Sequence, residues 1–483
     1  MGVTAITARA SLAKRCLFCA ASAAALSGCA TGLTNVEPAV SGIAVPQSWA
    51  TETVPIETDI DQYWQLLGDP LLSEFVDQAV QQNLDIAQAA GRLAQARAGL
   101  KGAQARRLPQ LSATGGARRD VGDFANTDVL FSGGLDASWE ADLFGQISNS
   151  VTASRADLAA AGYSLGDVQR LVIGNVALST IAARSTAVQL AIARDTLANQ
   201  NENLQIAEWR NQAGLVSSLD VEQARVQQAQ TAASIPAFES DLASTANAIS
   251  TLIGEPPGRV LSLLRQEAAI PAPPMTVGFS APAEVLRRRP DVRGAESALL
   301  ANSARINIAR AQLLPMVRLT GNLGSSSRGI GNLFDVITGN LFASVGQLIF
   351  DGGQARSQID SAEATAQISL AAWQQTILRA LEDVESSAVD LDASRERVAI
   401  LAQAQEAAGN AAILARSQYQ AGLIDFQFLL TSENQLLSAR NALAAAQAQR
   451  ASAFVRLTQA LGGGWTETGT PTPQTPPAEG NTP

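Results

Sequence analysis

The sequence predicts a chain of mixed α and β structure in which one unit, a helix, two strands and a long helical hairpin, is built twice. Three observations carry this. First, short stretches recur at a held separation: Asp85 matches Asp291 and Pro109 matches Pro315 at 206 residues, Phe144-Gly145 matches Phe350-Asp351 at 206, and Gln212-Ala213-Gly214-Leu215 matches Gln420-Ala421-Gly422-Leu423 at 208. A period this long is no solenoid repeat of about 20 to 50 residues, so it reads as a tandem duplication. Second, apolar and polar residues alternate near 109–118 and 130–144 and again near 316–324 and 340–350, the period of a strand with two different faces. Third, about 145–213 and 352–421 are nearly free of Pro and rich in Ala, Gln and Ser, which predicts helices on the order of 100 Å long at 1.5 Å per residue.

The chain begins with Arg9, Lys14 and Arg15, an apolar run over 16–26 and then small residues, the pattern of a secretory signal peptide over 1–28. Leu26-Ser27-Gly28-Cys29 closes it and resembles a bacterial lipobox, whose cysteine is acylated and becomes the new N-terminus. Several acyl chains on Cys29 would make a stable anchor, because each buried methylene contributes roughly 0.8 kcal/mol. Cys16 and Cys19 lie inside the signal, so their Cys-x-x-Cys spacing carries no redox or zinc chemistry. Loss of 1–29 leaves 31 basic residues against 44 acidic, a net of −13, which argues against nucleic acid as a partner. The sequence contains no histidine, no phosphate-binding glycine loop and no Gly-x-Ser-x-Gly, so no enzyme activity, cofactor or metal site is expected. Beyond Cys29 no run of 18 apolar residues occurs, so any membrane crossing is expected from strands closed into a barrel.

Taken in order, 29–70 reads as a lipidated N-terminal arm of largely irregular structure. Asp69-Pro70 suits a helix start, with the cap on Asp69, and a helix is expected from there to about 107. The first repeat spans 71–258 and its hairpin 145–253; a linker occupies 259–280; the second repeat spans 281–465 and its hairpin 352–461. In the clearest strand Leu135, Ala137, Trp139, Ala141 and Leu143 alternate with Asp136, Ser138, Glu140 and Asp142. Such a strand fits a membrane barrel, with lipid outside and water inside, and equally a half-buried sheet of a soluble domain. Four strands cannot close a barrel, since about eight or more are needed, so the barrel reading requires several copies. Each long helix ends in Ala-Gly-Leu, where Gly214 and Gly422 suit a left-handed cap, and a return helix starts near Ser218 and Asp425. The Arg287–Arg289 run is expected on a solvated face or near a strand–helix junction and is assigned no site. The Thr-, Pro- and Gly-rich tail over 466–483 is expected to be disordered.

Trp64-Gln65-Leu66-Leu67-Gly68-Asp69-Pro70, Asn83-Leu84-Asp85-Ile86, Trp139-Glu140-Ala141-Asp142-Leu143-Phe144-Gly145, Arg288-Arg289-Pro290-Asp291-Val292 and Tyr419-Gln420-Ala421-Gly422-Leu423-Ile424-Asp425 together resemble the TolC-like outer membrane factor family. The resemblance covers about 29–465 and points to the lipoprotein members, the NodT and OprM group. It implies a homotrimer: a twelve-stranded outer-membrane β-barrel, four strands from each protomer, continuous with a periplasmic α-helical barrel. It implies the exit duct of a tripartite efflux pump, docked to a periplasmic adaptor (membrane fusion protein) and an inner-membrane transporter of resistance-nodulation-division type. From the residues alone, a periplasmic coiled-coil lipoprotein scaffold or adaptor without a pore stays open as the alternative.

The resemblance also implies a gate at the hairpin tips. Relatives often carry Leu-Asp-Ala-Gln after the second tip, where this chain reads Leu430-Thr431-Ser432-Glu433, so a ring of acids at that level is in doubt. Asp425 remains as a candidate for a narrowing ring of carboxylates, or as the cap of the return helix. Tyr419 stands where relatives hold the tip closed through side-chain hydrogen bonds, or packs between helices. Gly214 and Gly422 are the expected turn hinges.

Overall fold

The computed structural model describes residues 42–51, 60–123, 128–274, 278 and 280–466. The signal peptide, Cys29, most of the arm and the tail beyond 466 lie outside the described residues. The first half builds α1 (Pro70–Gln82), α2 (Leu84–Ala105), β1 (Gln110–Arg119), β2 (Val129–Ala141), α3 (Gln146–Gln212) and α4 (Ser218–Leu252). A short α5 (Arg259–Leu264) follows. The second half then repeats the order with α6 (Pro282–Arg288), α7 (Pro290–Ala311), β3 (Met316–Ser327), β4 (Thr338–Gly346), α8 (Gln354–Gln420) and α9 (Phe426–Ala460). The matching elements agree in length: α2 and α7 have 22 residues, α3 and α8 have 67, α4 and α9 have 35.

The chain divides into two compact units that cut across this repeat. The first takes in Met1–Ile43, Ala96–Leu158 and Ser297–Ala372, the second Ala44–Gln95, Ala159–Glu296 and Trp373–Pro483. The first unit holds one antiparallel sheet in the order β1-β2-β3-β4. Its register pairs Ser112 with Asp136, Asp136 with Asn322, and Asn322 with Asn340. Even-numbered residues therefore share one face, mostly hydroxyls, amides and charges, while Leu111, Leu135, Trp139, Leu319, Leu341 and Val345 share the other. Leu111, Leu341 and Val345 are 70%, 81% and 72% exposed, so this apolar face is uncovered within the chain. The outer edges of β1 and β4 have no strand partner among the described residues.

Strand ends differ from the alternation in two places. β2 stops at Ala141 because Asp142 turns its carboxylate onto the N–H groups of Ile147 and Ser148 (3.0 and 2.7 Å) and caps α3. β4 stops at Gly346, so exposed Leu348, Ile349 and Phe350 lie beyond it. The Trp139 indole donates to the carbonyl of Arg107 at 3.0 Å, joining β2 to the end of α2.

In the second unit Tyr63, Leu72, Phe75, Val76, Ile181, Ile249, Phe454 and Leu457 form the fully buried core. α3 contains a stretch apolar enough on average, and long enough, to cross a membrane by composition, although it is not an unbroken run of 18 apolar residues. More than half of that stretch is buried in the protein, where Val172, Val176, Ala177 and Ile181 make it the central core helix, which accounts for its hydropathy. Gly174 permits the close approach of α9: a Cβ there would fall 1.6 Å from the Gln459 amide. That amide donates to the carbonyl of Arg170 at 3.0 Å, while Arg170 Nη1 donates back to the carbonyl of Gln459 at 3.1 Å.

The expected single helix from Pro70 breaks at Asn83. Its backbone is extended (φ −64°, ψ 131°), and its side-chain oxygen accepts from the N–H groups of Asp85 and Ile86 at 2.8 and 3.0 Å. Asn83 Nδ2 also donates to the carbonyl of Leu252, at the end of α4 (2.8 Å). The second half solves the same joint with Arg289, which stands where Asn83 would recur. Arg289 Nη1 donates to the carbonyl of Ala460, at the end of α9 (3.0 Å), and its other nitrogens bind Asp291 (2.7 and 3.0 Å) and Asp383 (3.0 Å). A solvated face is therefore wrong for Arg289, which is only 3% exposed; the carbonyls and carboxylates around it satisfy the buried charge. Arg288 pairs with Asp61, and its carbonyl accepts from the Trp465 indole. Arg184 and Asp69, 5% and 9% exposed, form a second buried pair at 3.0 Å that fixes the cap of α1.

The arm is more ordered than expected where it is described. Trp49 is buried and its indole donates to the carbonyl of Ser280 at 2.8 Å. Glu385 on α8 accepts from the N–H groups of Ala50 and Thr51 and from the Thr51 hydroxyl (2.6, 3.3 and 2.9 Å). Residues 42–51 form no helix or strand, and the bonds named here run through the side chains of Trp49, Thr51 and Glu385.

Breaking a buried ion pair from one side costs about 3 to 5 kcal/mol. Arg289→Ala is therefore expected to destabilise the second unit by about 3 kcal/mol, whereas Asn83→Ala costs about 1 kcal/mol, the worth of a cap; guanidinium unfolding of both variants checks the ratio. Burial pushes the Asp291 carboxyl up, but the Arg289 hydrogen bonds and charge outweigh it and hold the group below the usual carboxylate range. A depressed folded value means that this stabilisation is fully present above the unfolded value, about pH 4, and is lost as pH falls through the folded one. In acid unfolding, Asp291→Asn should lose part of the steep limb expected below about pH 4 for the native protein.

Candidate functional site

The two hairpin turns lie in the second unit and are built alike. Gly214 and Gly422 have φ of 71° and 75°, the left-handed conformation that a Cβ opposes. At each, the glycine N–H and the next N–H reach back to the helix end: Gly214 to Asn211 and Leu215 to Arg210 (2.9 and 2.8 Å), Gly422 to Tyr419 and Leu423 to Gln418 (3.0 and 2.9 Å). These are the paired bonds of a Schellman turn, which satisfy carbonyls that would otherwise be left over. No heavy atom stands within 4 Å of an added Cβ at either glycine, so the backbone angle and not space selects the residue.

Return helices start on matched caps. Ser217 and Asp220 form a reciprocal capping box ahead of α4 (3.3 and 3.1 Å). Asp425 takes the equivalent place ahead of α9, its Oδ1 accepting from the N–H of Phe428 at 2.9 Å. Leu215, Leu219, Leu423 and Phe428 are exposed around these turns, which gives the tips an apolar outer surface.

Beneath the turns, Ala207, Val221, Ala224, Ala415, Tyr419, Phe426, Leu429 and Leu430 form one buried cluster that joins the two hairpins. Tyr419 is 3% exposed and its ring lies 5.3 Å from that of Phe426. Its hydroxyl has no hydrogen-bond partner among the described residues, so Tyr419 contributes here by packing. Polar bonding between the hairpins comes from residues that sequence reasoning missed. Arg210 places its guanidinium 4.6 Å from the Tyr419 ring centroid and donates to the carbonyls of Tyr419 and Gln420 (3.0 and 3.1 Å), capping α8 from the neighbouring hairpin. Glu433, 8% exposed, accepts from Asn203 and Arg416 at 2.7 and 3.0 Å, so it is buried between hairpins. Asn434 donates to Gln227 at 3.0 Å. The available signal was a basic residue in the last turn of α3, where it meets C-terminal carbonyls; which helix it would serve was not legible.

Among the described residues no group of three or more His, Cys, Asp or Glu side chains could hold a metal ion. The tip offers turns, caps and an apolar rim.

Replacing Arg210 with Ala removes two charge-assisted bonds and a ring contact, together on the order of 2 to 4 kcal/mol of local stability. Amide hydrogen exchange over 417–423 is expected to accelerate in this variant while the region around Tyr63 keeps its protection. Gly422→Ala should cost about 1 to 2 kcal/mol through the positive φ and speed exchange over the same residues.

The model of the family described as outer membrane efflux protein matches twice, over residues 75–255 and 281–463. The chain is 32% identical over 443 residues to the pyoverdine export outer membrane protein OpmQ of Pseudomonas aeruginosa, covering 89% of this chain and 93% of that one. It is 29% identical over 452 residues to nodulation protein T of Rhizobium leguminosarum bv. trifolii, covering 91% and 95%. Among solved structures, the outer-membrane channel OprN superposes with a TM-score of 0.77 at 30% identity, over 88% of this chain and all of that one. With two long hairpins, a two-faced sheet and a family match to both halves, the chain belongs to the outer membrane efflux protein family.

Proposed function

We propose that three copies of this chain close a twelve-stranded barrel and serve as the passive exit duct of a tripartite efflux pump. The observation that carries this is the four-stranded sheet, with one apolar uncovered face, one polar face and two open edges. Lipid satisfies no backbone hydrogen bond, so the edges of β1 and β4 need strand partners, and β4 of a neighbouring copy is the natural partner for β1. Tandem duplication of a two-stranded unit accounts for the repeated element order. A pore-less scaffold would have no use for such a sheet.

In this reading the hairpin tips face a periplasmic adaptor and an inner-membrane transporter of resistance-nodulation-division type, and the transporter selects the cargo. Cys29 carries the lipid that anchors the arm in the outer membrane. The tips form the gate: Asp425 of each copy stands among like charges, Gly214 and Gly422 are the hinges, and the Tyr419–Arg210 contact holds the hairpins together while the gate is shut. No substrate chemistry is involved.

Heat-resistant trimers that conduct ions across a planar bilayer are the expected result for the purified protein, and trimers without conductance would restore the scaffold reading. Asn caps a helix about as well as Asp, so Asp425→Asn keeps the cap and removes only the charge. It should raise resting conductance and weaken cation preference; if only Asp425→Ala has an effect, Asp425 is a cap and the gate lies elsewhere. Cys29→Ala should abolish acyl labelling and leave the protein in the membrane through its barrel, and persistent labelling would refute the attachment site.

A further inference from the structure

The polar face of the sheet has one level unlike the rest. Register aligns Ser112, Asp136, Asn322 and Asn340 across all four strands. The Asp136 carboxylate is held from both sides: the Thr114 hydroxyl donates to one oxygen at 3.0 Å, and the Asn322 amide donates to the other at 2.7 Å. Both donors are neutral. Glu140, the other carboxylate within the strands, lies 3.7 Å from Arg318, and near the strand ends Asp120 lies 2.7 Å from Arg118 and Asp128 lies 3.2 Å from Arg328. Among the described residues of the strands, Asp136 is thus the carboxylate fixed in place without being neutralised. The level next to it reads Thr114, Gly134, Gly324 and Thr338, and its two glycines leave no side chain to screen the charge.

We propose that in the assembled barrel this level closes into a belt of hydroxyls and amides whose one fixed charge per chain, Asp136, makes the barrel wall itself select cations over anions, independently of the hairpin tips. The inference rests on the barrel reading above. A carboxylate facing a water-filled lumen from a low-dielectric wall keeps its field focused across the pore and raises the local concentration of inorganic cations and small cationic solutes. Because two neutral donors orient it, the carboxylate holds its place without a counter-charge, and three of them per barrel lie at one depth. The neutral members of the level offer hydrogen bonds to water or to a passing solute and no charge to offset it.

The test is the reversal potential of single trimers in planar bilayers under a salt gradient, measured in the Asp425→Asn background so that the proposed carboxylate ring at the tip is removed. Asp136→Asn is close to isosteric and keeps an acceptor for Thr114. It should bring the cation-to-anion permeability ratio close to one with conductance in concentrated salt unchanged, and Asp136→Lys should invert the ratio. Asn340→Asp, on the same level, should raise it, and this variant decides the matter if the Asp136 variants do not assemble. Each effect should shrink between 0.1 and 1 M salt, as the screening length falls from about 10 to about 3 Å. Conducting trimers whose reversal potential ignores all of these substitutions would overturn the belt and leave the barrel standing. A parent trimer that does not conduct at all would overturn the barrel reading, and the belt with it.

Discussion

An exposed strand edge is an unmade row of hydrogen bonds, and this sheet has two of them. Among the described residues of one chain the outer edges of β1 and β4 have no strand partner, and Leu111, Leu341 and Val345 stand uncovered beside them. In water the apolar face would be an aggregation surface; in lipid it is an asset, but then the open edges become costly, because nothing in hydrocarbon can satisfy them. In the proposed barrel both demands are met together, because the sheet closes with copies of itself. The remainder of the chain is consistent with that requirement: helical backbone satisfies its own bonds, so the long helices need no partner strand.

How much of this could be read in advance depended on the range of the interaction. The strands were legible because alternation reports two different environments, and residues such as Asp136 and Trp139 obey it without help from the rest of the fold. The hairpin turns were legible for a similar reason, since Gly214 and Gly422 mark a local backbone angle. The break at Asn83 was not, as it lies within a continuous helical pattern and its amide is committed to Leu252, 169 residues away. Arg289 was misread for the same cause: a run of three arginines looks like a solvated patch until Asp383 and the Ala460 carbonyl arrive from elsewhere. At the tips, Asp425 could be recognised as a cap, whereas Arg210, Asn203 and Glu433 form their bonds between hairpins and carry no local signature.

The paired joints at Asn83 and Arg289 show how two similar halves diverge without losing their common geometry. In each, a side chain at the start of a 22-residue helix donates to the last carbonyls of a 35-residue return helix. One half does so with a neutral amide that also caps its own helix; the other uses a charge, which then requires Asp291 and Asp383 as company. The backbone requirement, a satisfied carbonyl at a helix end, is the same in both. Chemistry at the position is free to change so long as that requirement is met.

The Glu385 clasp on Ala50 and Thr51 has a mechanical meaning. A pull on any residue upstream reaches α8 through three hydrogen bonds loaded together, and the buried Trp49 indole must be extracted as well. Such a pull therefore meets the clasp before it meets Tyr63, Trp64 and the Arg184–Asp69 pair, which follow in the sequence and lie in the core. The clasp thus acts as a strain relief on the cable that leads to the N-terminus, so that jostling at that end is absorbed at a helix surface and the core that seats α1 is spared.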